Sequence, residues 1–139
     1  MSKDQQPAGR IDQGLLETLR ETRANAYAPY SGFHVAALIE CPDGSHFSGC
    51  NVETAHYKSI CAEASAISAM VSAGRKHLRR IWILGSGDRP CPPCGDCRQR
   101  IFEFADERTE VCIVNEADES FRRVSIGELL PEGFRLGDA

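Results

Sequence analysis

The sequence lacks three features that would place it among membrane, secreted or nucleic-acid-binding proteins. No run approaches the roughly 20 apolar residues needed to cross a bilayer, and the polar start, MSKDQQPAGR, holds no apolar segment of a secretory signal. Basic residues are in deficit, with 16 Lys and Arg against 20 Asp and Glu and a formal net charge of -4. Counterion release on a polynucleotide would therefore be weak. We expect a cytoplasmic protein that binds a small molecule, with neither a polynucleotide nor a membrane as partner.

The chain also has no internal repeat and no low-complexity tract, so it gives no sign of a repeat architecture. Its 139 residues, 42% of them hydrophobic, suffice for one buried core and are too few for two ordinary domains. We expect a disordered N-terminal segment at residues 1–10 and a single domain over residues 11–139.

Seven cysteines are present, and their use is the first clue to function. Because the count is odd and no export signal is seen, a framework of disulfides is not expected. Cys41, Cys50 and Cys112 lie in or beside apolar, strand-like runs, where a free cysteine usually behaves as a small buried hydrophobe. The others are candidates for metal binding.

Apolar spacing and turn residues predict alternating elements. Helices are expected at residues 11–24, 61–72 and 94–104, with Gly74 ending the second, and strands at residues 33–40, 46–51, 80–85, 110–115 and 121–124. Residues 42–45 join the first two strands as a hairpin, and the almost wholly apolar residues 80–85 are typical of a central strand. This order predicts an α/β fold, with a mixed sheet and helices packed over its faces.

A pair of cysteines at the start of the third predicted helix indicates a metal site. Cys94 and Cys97 are three residues apart, so both sulfurs can project from the first turn toward one point. Zinc binds thiolates at about 2.3 Å, and its catalytic sites keep a position for water, whereas structural sites close with four protein ligands. Cys91 leaves an alternative open, since it could supply a fourth sulfur or a redox partner. Pro92 and Pro93 favour an extended backbone there, which favours Cys94 with Cys97.

The segment Cys61-Ala-Glu63 adds a carboxylate to this chemistry. Two residues after Cys61 at a helix start, Glu63 can lie beside a metal-bound water without ligating the metal, where a proton shuttle is needed. Taken alone, an acidic residue at a helix start would more often be a surface residue that compensates the helix dipole. Its combination with Cys94 and Cys97 favours the catalytic interpretation.

With these residues in place, the chain resembles the cytidine deaminase family over about residues 27–134. Five segments match family motifs in order: Tyr30-Ser-Gly-Phe33, Gly49-Cys-Asn51-Val-Glu53, Cys61-Ala-Glu63, Pro93-Cys-Gly-Asp-Cys-Arg-Gln99 and Leu129-Leu-Pro-Glu-Gly-Phe134. The resemblance implies a three-layer α/β/α fold with a mixed five-stranded sheet. It also implies zinc held by Cys61, Cys94 and Cys97, and hydrolytic deamination of a cytosine nucleoside in pyrimidine salvage, with Glu63 moving the protons. A cysteine as first ligand is similar to the short-chain branch, whose members are commonly homotetramers.

The resemblance also assigns substrate contacts. The backbone N–H of Ala62 would hold the pyrimidine carbonyl, and Asn51 and Glu53 would hold a ribose hydroxyl. Phe33 would pack near the base, and Phe134 could reach toward the site of a neighbouring subunit. Taken without the family, Asn51 would be an ordinary turn residue and both phenylalanines ordinary core.

Two departures from the family pattern bear on substrate and charge. Thr54 follows Glu53 where the family usually has Asn, and the loop of residues 54–60 is altered, which leaves open a modified cytosine nucleoside such as blasticidin S or another small aminated heterocycle. Many relatives have an Arg where this chain has Ala64. We expect Arg98, another basic group or the helix N-termini to offset the charge of three thiolates. A structural zinc module, with Cys91 as fourth ligand, is the alternative of another class.

Overall fold

The computed structural model describes residues 7–137, and its elements alternate between strands and helices along the chain. In order they are β1 (Gly9–Arg10), α1 (Gln13–Ala24), β2 (Val35–Glu40), β3 (His46–Cys50), α2 (Ala62–Ser72), β4 (Arg80–Gly85), α3 (Gly95–Glu103), β5 (Glu110–Asn115), β6 (Ser120–Ser125) and α4 (Ile126–Leu129). The strands predicted at 80–85 and 110–115 are confirmed at both ends, and the predicted helices differ from α1, α2 and α3 by one or two residues at an end.

The six strands form one mixed sheet in the order β1-β6-β5-β4-β2-β3. Among these strands of residues 7–137, only β4 and β5 pair in parallel, and the remaining pairs are antiparallel. The α/β class and the mixed sheet are therefore confirmed, and within residues 7–137 the predicted count of five strands is corrected to six. The additional strand is β1, whose two residues are too few to give an alternating sequence pattern.

The central strands are apolar on both faces because helices cover the sheet on both sides. Ile81 and Ile83 of β4 point into a core shared with α2 and α3. Trp82 and Leu84 point the other way, into a second core that includes Leu16 and other residues of α1. This alternation produces the expected three layers, α/β/α, from a strand that reads as an uninterrupted apolar run.

The N-terminal segment is more ordered than the sequence suggests. Gly9 and Arg10 pair with Phe121 and Ser120 of β6, and the Ala8 N–H donates to the Phe121 carbonyl at 2.7 Å. The expected disorder over residues 1–10 is therefore wrong for its last residues, while residues 1–6 lie outside the described part. The physical reason is that β1 satisfies backbone groups of β6 that an edge strand would leave unpaired.

Helix α2 lies unusually close to β3, and Gly49 permits this approach. A Cβ atom at Gly49 would lie 2.4 Å from the backbone nitrogen of Ala66 and 2.6 Å from the Cβ of Ser65. No other residue type has room there. The helix ends at Ser72, and Gly74 follows with a φ of +89°, as the predicted terminating glycine requires.

The last described elements of the chain are the strand β6 and the short helix α4. The last strand, β6, is longer than the predicted 121–124, and the short helix α4, capped by Ser125, has too few turns to show a periodicity. Cys41 and Cys112 are buried as predicted, whereas Cys50 is only half-buried. Within residues 7–137, no helix combines the length and the apolar composition that crossing a bilayer requires.

Candidate active site

Three cysteine sulfurs converge at one point of the structure. The Sγ atoms of Cys61 and Cys94 are 3.9 Å apart, and the sulfur of Cys97 lies within 4.8 Å of both. Two thiolates bonded to a tetrahedral zinc ion at about 2.3 Å stand about 3.8 Å apart, so the spacing fits that ion. Within residues 7–137 this is the one group of three or more His, Cys, Asp or Glu side chains placed closely enough to hold a metal.

The N-termini of two helices bring these sulfurs together. Cys61 is the N-cap of α2, and Cys94 is the N-cap of α3, each with an extended backbone. Cys97 lies in the first turn of α3, and its N–H donates to the Cys94 sulfur at 3.4 Å. Because α2 and α3 pack on the same face of the sheet, residues more than thirty positions apart in sequence meet at their first turns.

Burial and repulsion by neighbouring negative groups make the thiols of Cys61 and Cys97 difficult to ionise without a cation. Desolvation is the largest cause that raises the pKa of Cys61, and the nearby Cys94 and Glu63 raise it further. The pKa of Cys97 is raised by the same causes. A divalent cation between the sulfurs would favour the thiolate over the thiol, since it binds the thiolate form and displaces the proton. The chemistry of the donor set therefore fits a metal such as zinc.

Backbone groups, rather than Arg98, face the thiol cluster. The N-termini of α2 and α3 direct their partial positive charge toward the sulfurs, and Cys97 adds its N–H. The Arg98 guanidinium instead donates to two main-chain carbonyls, to Pro93 at 2.9 Å and to Leu129 at 3.1 Å. The expectation of charge compensation is thus met by helix N-termini, and Arg98 has a different role: it fastens α4 and the segment before α3.

Glu63 is buried next to the thiols. Its side chain, in the first turn of α2, is only 5% exposed, so it is not a surface residue compensating the helix dipole. Desolvation is the main cause that raises its pKa, and a hydrogen bond with Cys97 opposes the shift in part. A carboxyl with a raised pKa binds a proton more readily near neutral pH than an exposed glutamate does.

Cys91 lies beside this cluster and is not a member of it. The three gathered sulfurs are those of Cys61, Cys94 and Cys97. A Cβ atom at Gly85 would lie 2.6 Å from the Cβ of Cys91 and 3.1 Å from the Phe33 ring, so Cys91 packs at the end of β4 near Phe33. Burial raises the pKa of the Cys91 thiol to about 11. The structure thus gives no support to a fourth cysteine ligand.

Asn51 and Glu53 both bind the loop that carries Phe33. The Asn51 side chain accepts from the N–H of Val35 and donates to the carbonyl of Phe33, each at 2.8 Å. The Glu53 carboxylate accepts from the N–H groups of Tyr30 and Ser31, both at 3.1 Å, and from the Ser31 hydroxyl at 2.5 Å. These bonds, the Ser31 hydroxyl first, lower the pKa of Glu53, so the carboxylate is ionised at neutral pH.

The remaining predicted substrate residues lie at different depths. Ala62 is buried as the first residue of α2, and the N–H of a first helical residue has no acceptor within its own helix. Phe33 is 42% exposed and borders an open cavity of about 670 Å³ formed with residues 86–92. Phe134 is 66% exposed and projects from the chain after α4. Gln99 has no predicted role of its own, yet its side chain binds the main chain of Phe134.

Comparisons with known proteins agree with this geometry. A family model described as the cytidine and deoxycytidylate deaminase zinc-binding region matches residues 10–113. A cytidine deaminase of Halalkalibacterium halodurans is 36% identical over 127 residues, which are 91% of this chain and 96% of that protein. One from Mycoplasma pneumoniae is 40% identical over 84% of this chain and 89% of its own length. The crystal structure of a cytidine deaminase from Burkholderia pseudomallei, 38% identical, superposes with a TM-score of 0.81 and covers 89% of this chain and 99% of its own. These matches confirm the resemblance drawn from the motifs.

Proposed function

The chain belongs to the cytidine and deoxycytidylate deaminase family, and on that premise we propose that it hydrolyses the C4 amino group of cytidine or deoxycytidine. Water supplies the oxygen that replaces the amino group, and the products are uridine or deoxyuridine and ammonia. The observation that carries the proposal is the convergence of three thiols beside the buried carboxylate of Glu63.

Zinc is the cofactor of this reaction, and Cys61, Cys94 and Cys97 are its proposed ligands. Three protein ligands are typical of catalytic zinc sites, whereas structural sites have four. When bound, zinc supplies the Lewis acidity that lowers the pKa of a water molecule toward about 7. The helix N-termini and the N–H of Cys97 stabilise the three thiolates.

Glu63 is the proposed proton shuttle. It accepts a proton from the attacking water, delivers it to the ring nitrogen N3 and returns to the carboxylate. It then takes the proton of the new C4 hydroxyl and passes it to the amino group, so that the C4–N bond breaks, ammonia leaves and C4 becomes a carbonyl. Its burial supports this role because the carboxylate and carboxyl forms become closer in free energy when water no longer stabilises the charge.

Five residues are proposed to bind the nucleoside. The N–H of Ala62 donates to the pyrimidine carbonyl, and the rings of Phe33 and Phe134 pack against the substrate. Asn51 and Glu53 bind a ribose hydroxyl. An ionised carboxylate offers about four acceptor positions, and Glu53 uses three of them for the loop at Tyr30 and Ser31. Room therefore remains for one sugar hydroxyl.

Glu63→Gln tests the proposal, because glutamine keeps the shape of the side chain and cannot shuttle the proton. We expect kcat for cytidine to fall by at least about 10²–10⁴, the range of general acid–base groups, while bound zinc is retained. Glu103→Gln, at the exposed end of α3, is the matched control and should behave as wild type. A Glu63→Gln enzyme with normal turnover would contradict the assigned mechanism. A zinc-loaded wild type without activity would support the structural-module alternative.

The altered loop of residues 54–60 supports testing a second substrate class. Tyr57 at its tip is 94% exposed and has a φ of +62°, a left-handed conformation that a bulky residue seldom adopts. A panel of cytidine, deoxycytidine, cytosine and blasticidin S, compared by kcat/KM, would rank the candidates. The retained pair of Asn51 and Glu53 favours a ribose-bearing substrate over a free base.

We further propose that the chain is one deaminase domain that acts in the cytoplasm in pyrimidine salvage and assembles as a homotetramer. Several large apolar side chains are exposed, which supports contacts between copies: Tyr27, Tyr30, Phe33, Ile60, Phe134 and Leu136. The net charge of -4 supports a nucleoside rather than a polynucleotide as the partner. Light scattering coupled to size-exclusion chromatography tests the tetramer, and salt-dependent binding to single strands tests the polynucleotide.

A further inference from the structure

Gln99 holds the main chain of Phe134 with both ends of its side-chain amide. Its Nε2 donates to the Phe134 carbonyl at 2.7 Å, and its Oε1 accepts from the Phe134 N–H at 3.1 Å. The amide thus binds the main chain of Phe134 as a neighbouring strand would. The N–H and the carbonyl of Phe134 are thus both hydrogen-bonded to a single side chain 35 positions earlier in the sequence.

The residues on either side of Phe134 are fixed to the same helix. A Cβ atom at Gly133 would lie 2.7 Å from the Phe102 ring, so the main chain rests directly on that ring. The Arg135 guanidinium lies 4.1 Å from the centroid of the Phe102 ring and donates to the carbonyls of Phe102 and Ala105. Residues 133–135 are therefore held at three consecutive positions against α3 and its C-terminal end.

The ring of Phe134, in contrast, is 66% exposed. The two hydrogen bonds from Gln99 fix the main chain of Phe134 and leave its ring in water, so burial of that ring does not explain them. They do determine where the ring is presented. Gln99 lies two residues after Cys97 on α3, so the ring has a fixed position relative to the helix that supplies two of the three thiols.

We propose that Gln99 is a positioning residue for substrate binding, and that it acts through Phe134. This inference rests on the proposed function, in which the Phe134 ring packs against the nucleoside. A ring on a fixed backbone loses little conformational entropy when substrate binds, whereas a ring on a loose backbone loses more and binds less tightly. Without Gln99, substrate affinity falls while the thiols and Glu63 keep their places.

A double-mutant cycle tests this proposal. Gln99→Ala, Phe134→Ala and the double variant are assayed with cytidine, and kcat, KM, zinc content and Tm are measured for each. We expect Gln99→Ala to raise KM about 5- to 20-fold, as the loss of one or two hydrogen bonds implies, with kcat and zinc nearly unchanged. In the Phe134→Ala background, the same substitution should leave KM unchanged. Gln99→Met, similar in size to glutamine but without the amide, should behave as Gln99→Ala, which shows that the lost hydrogen bonds and not the smaller side chain cause the effect.

The possible outcomes separate the two proposals. Additive effects of the two substitutions on KM, or a loss of zinc and kcat in Gln99→Ala, would overturn the role through Phe134. An active enzyme whose KM does not respond to Gln99→Ala refutes the positioning role and leaves the deaminase assignment intact. A zinc-loaded wild type that does not deaminate any nucleoside refutes the proposed function itself. Glu103→Ala, an exposed position on the same helix, is the control and should not alter KM.

Discussion

Gly49→Ala should displace the helix that carries Cys61 and Glu63. The new Cβ would lie 2.4 Å from the backbone nitrogen of Ala66, an atom that cannot rotate away. Non-bonded heavy atoms are stable at about 3.5–4.0 Å, so α2 must retreat from β3 by roughly 1 Å. A shift of that size is large compared with the tolerance of zinc–sulfur bonds, and it would move Cys61 and Glu63 away from Cys94.

The loss of folding free energy in the Gly49→Ala variant can be estimated from the same contact. Overpacking a well-packed core usually costs about 1–3 kcal/mol, and the upper end applies here because the new methyl group meets backbone atoms of α2, which cannot rotate away. For a domain of this length, 3 kcal/mol corresponds to a fall in Tm of about 10 °C. Zinc affinity should fall as well, since one of the three sulfurs is displaced.

Thermal unfolding followed by far-UV circular dichroism, at fixed protein and zinc concentrations, measures this effect. Gly127→Ala is the matched control: the nearest atom to its new Cβ is 3.8 Å away, and the residue lies within a helix, where alanine is favoured. The control should melt at or slightly above the wild-type temperature. A Gly49→Ala protein that melts within about 2 °C of the control would refute the argument from close approach.

Three further outcomes are expected. The Cys97→Ser variant should lose most of its bound zinc and its activity, whereas the Cys91→Ser variant should retain both. Atomic emission measures the bound zinc, and a cytidine assay measures the activity. If both variants lost zinc equally, Cys91 would have to be counted as a ligand. Dialysis against a zinc chelator should abolish activity and lower Tm, and added zinc should restore both; unchanged activity in metal-free protein would contradict the cofactor. Hydrogen bonds from Arg23 and then Arg20 lower the pKa of Glu116, so its contribution to stability should be present above pH 4.5 and disappear as the pH falls through the lowered value. Urea unfolding of wild type and Glu116→Gln should therefore differ at pH 7 and converge in acid, and a constant difference would disprove the linkage.

The predicted elements and the core agree with the structure wherever the signal is local. Residues 80–85 form β4 as predicted, because an apolar run bounded by Arg and Gly needs no distant information to favour a buried strand. The strand β1 was missed because its pairing depends on β6, which lies more than a hundred residues away in sequence. A two-residue strand has no pattern of its own.

In the candidate site, too, local features can be predicted from the sequence, whereas contacts between distant residues cannot. The short spacing of Cys94 and Cys97 predicts that they face one point, since both lie in one helical turn. The sequence also suggested Arg98 as a partner of the thiolates, and the fold directs its guanidinium to Pro93 and Leu129 instead. A long flexible side chain reaches many acceptors, and only the packing of α3 against α4 selects among them.

The residue types of the site, the helix starts that carry them and the family resemblance can all be predicted from the amino-acid sequence alone. Which of these residues meet depends on the fold. The fold sets the distance between Cys61 and Cys94, buries Glu63, keeps Cys91 out of the thiol cluster and places Gln99 against the main chain of Phe134. The difference arises from how far apart in sequence the interacting residues are. Helix starts and ligand spacings depend on neighbours within a turn, whereas the convergence of α2 and α3 depends on how both helices pack against one face of the sheet, to which every strand contributes.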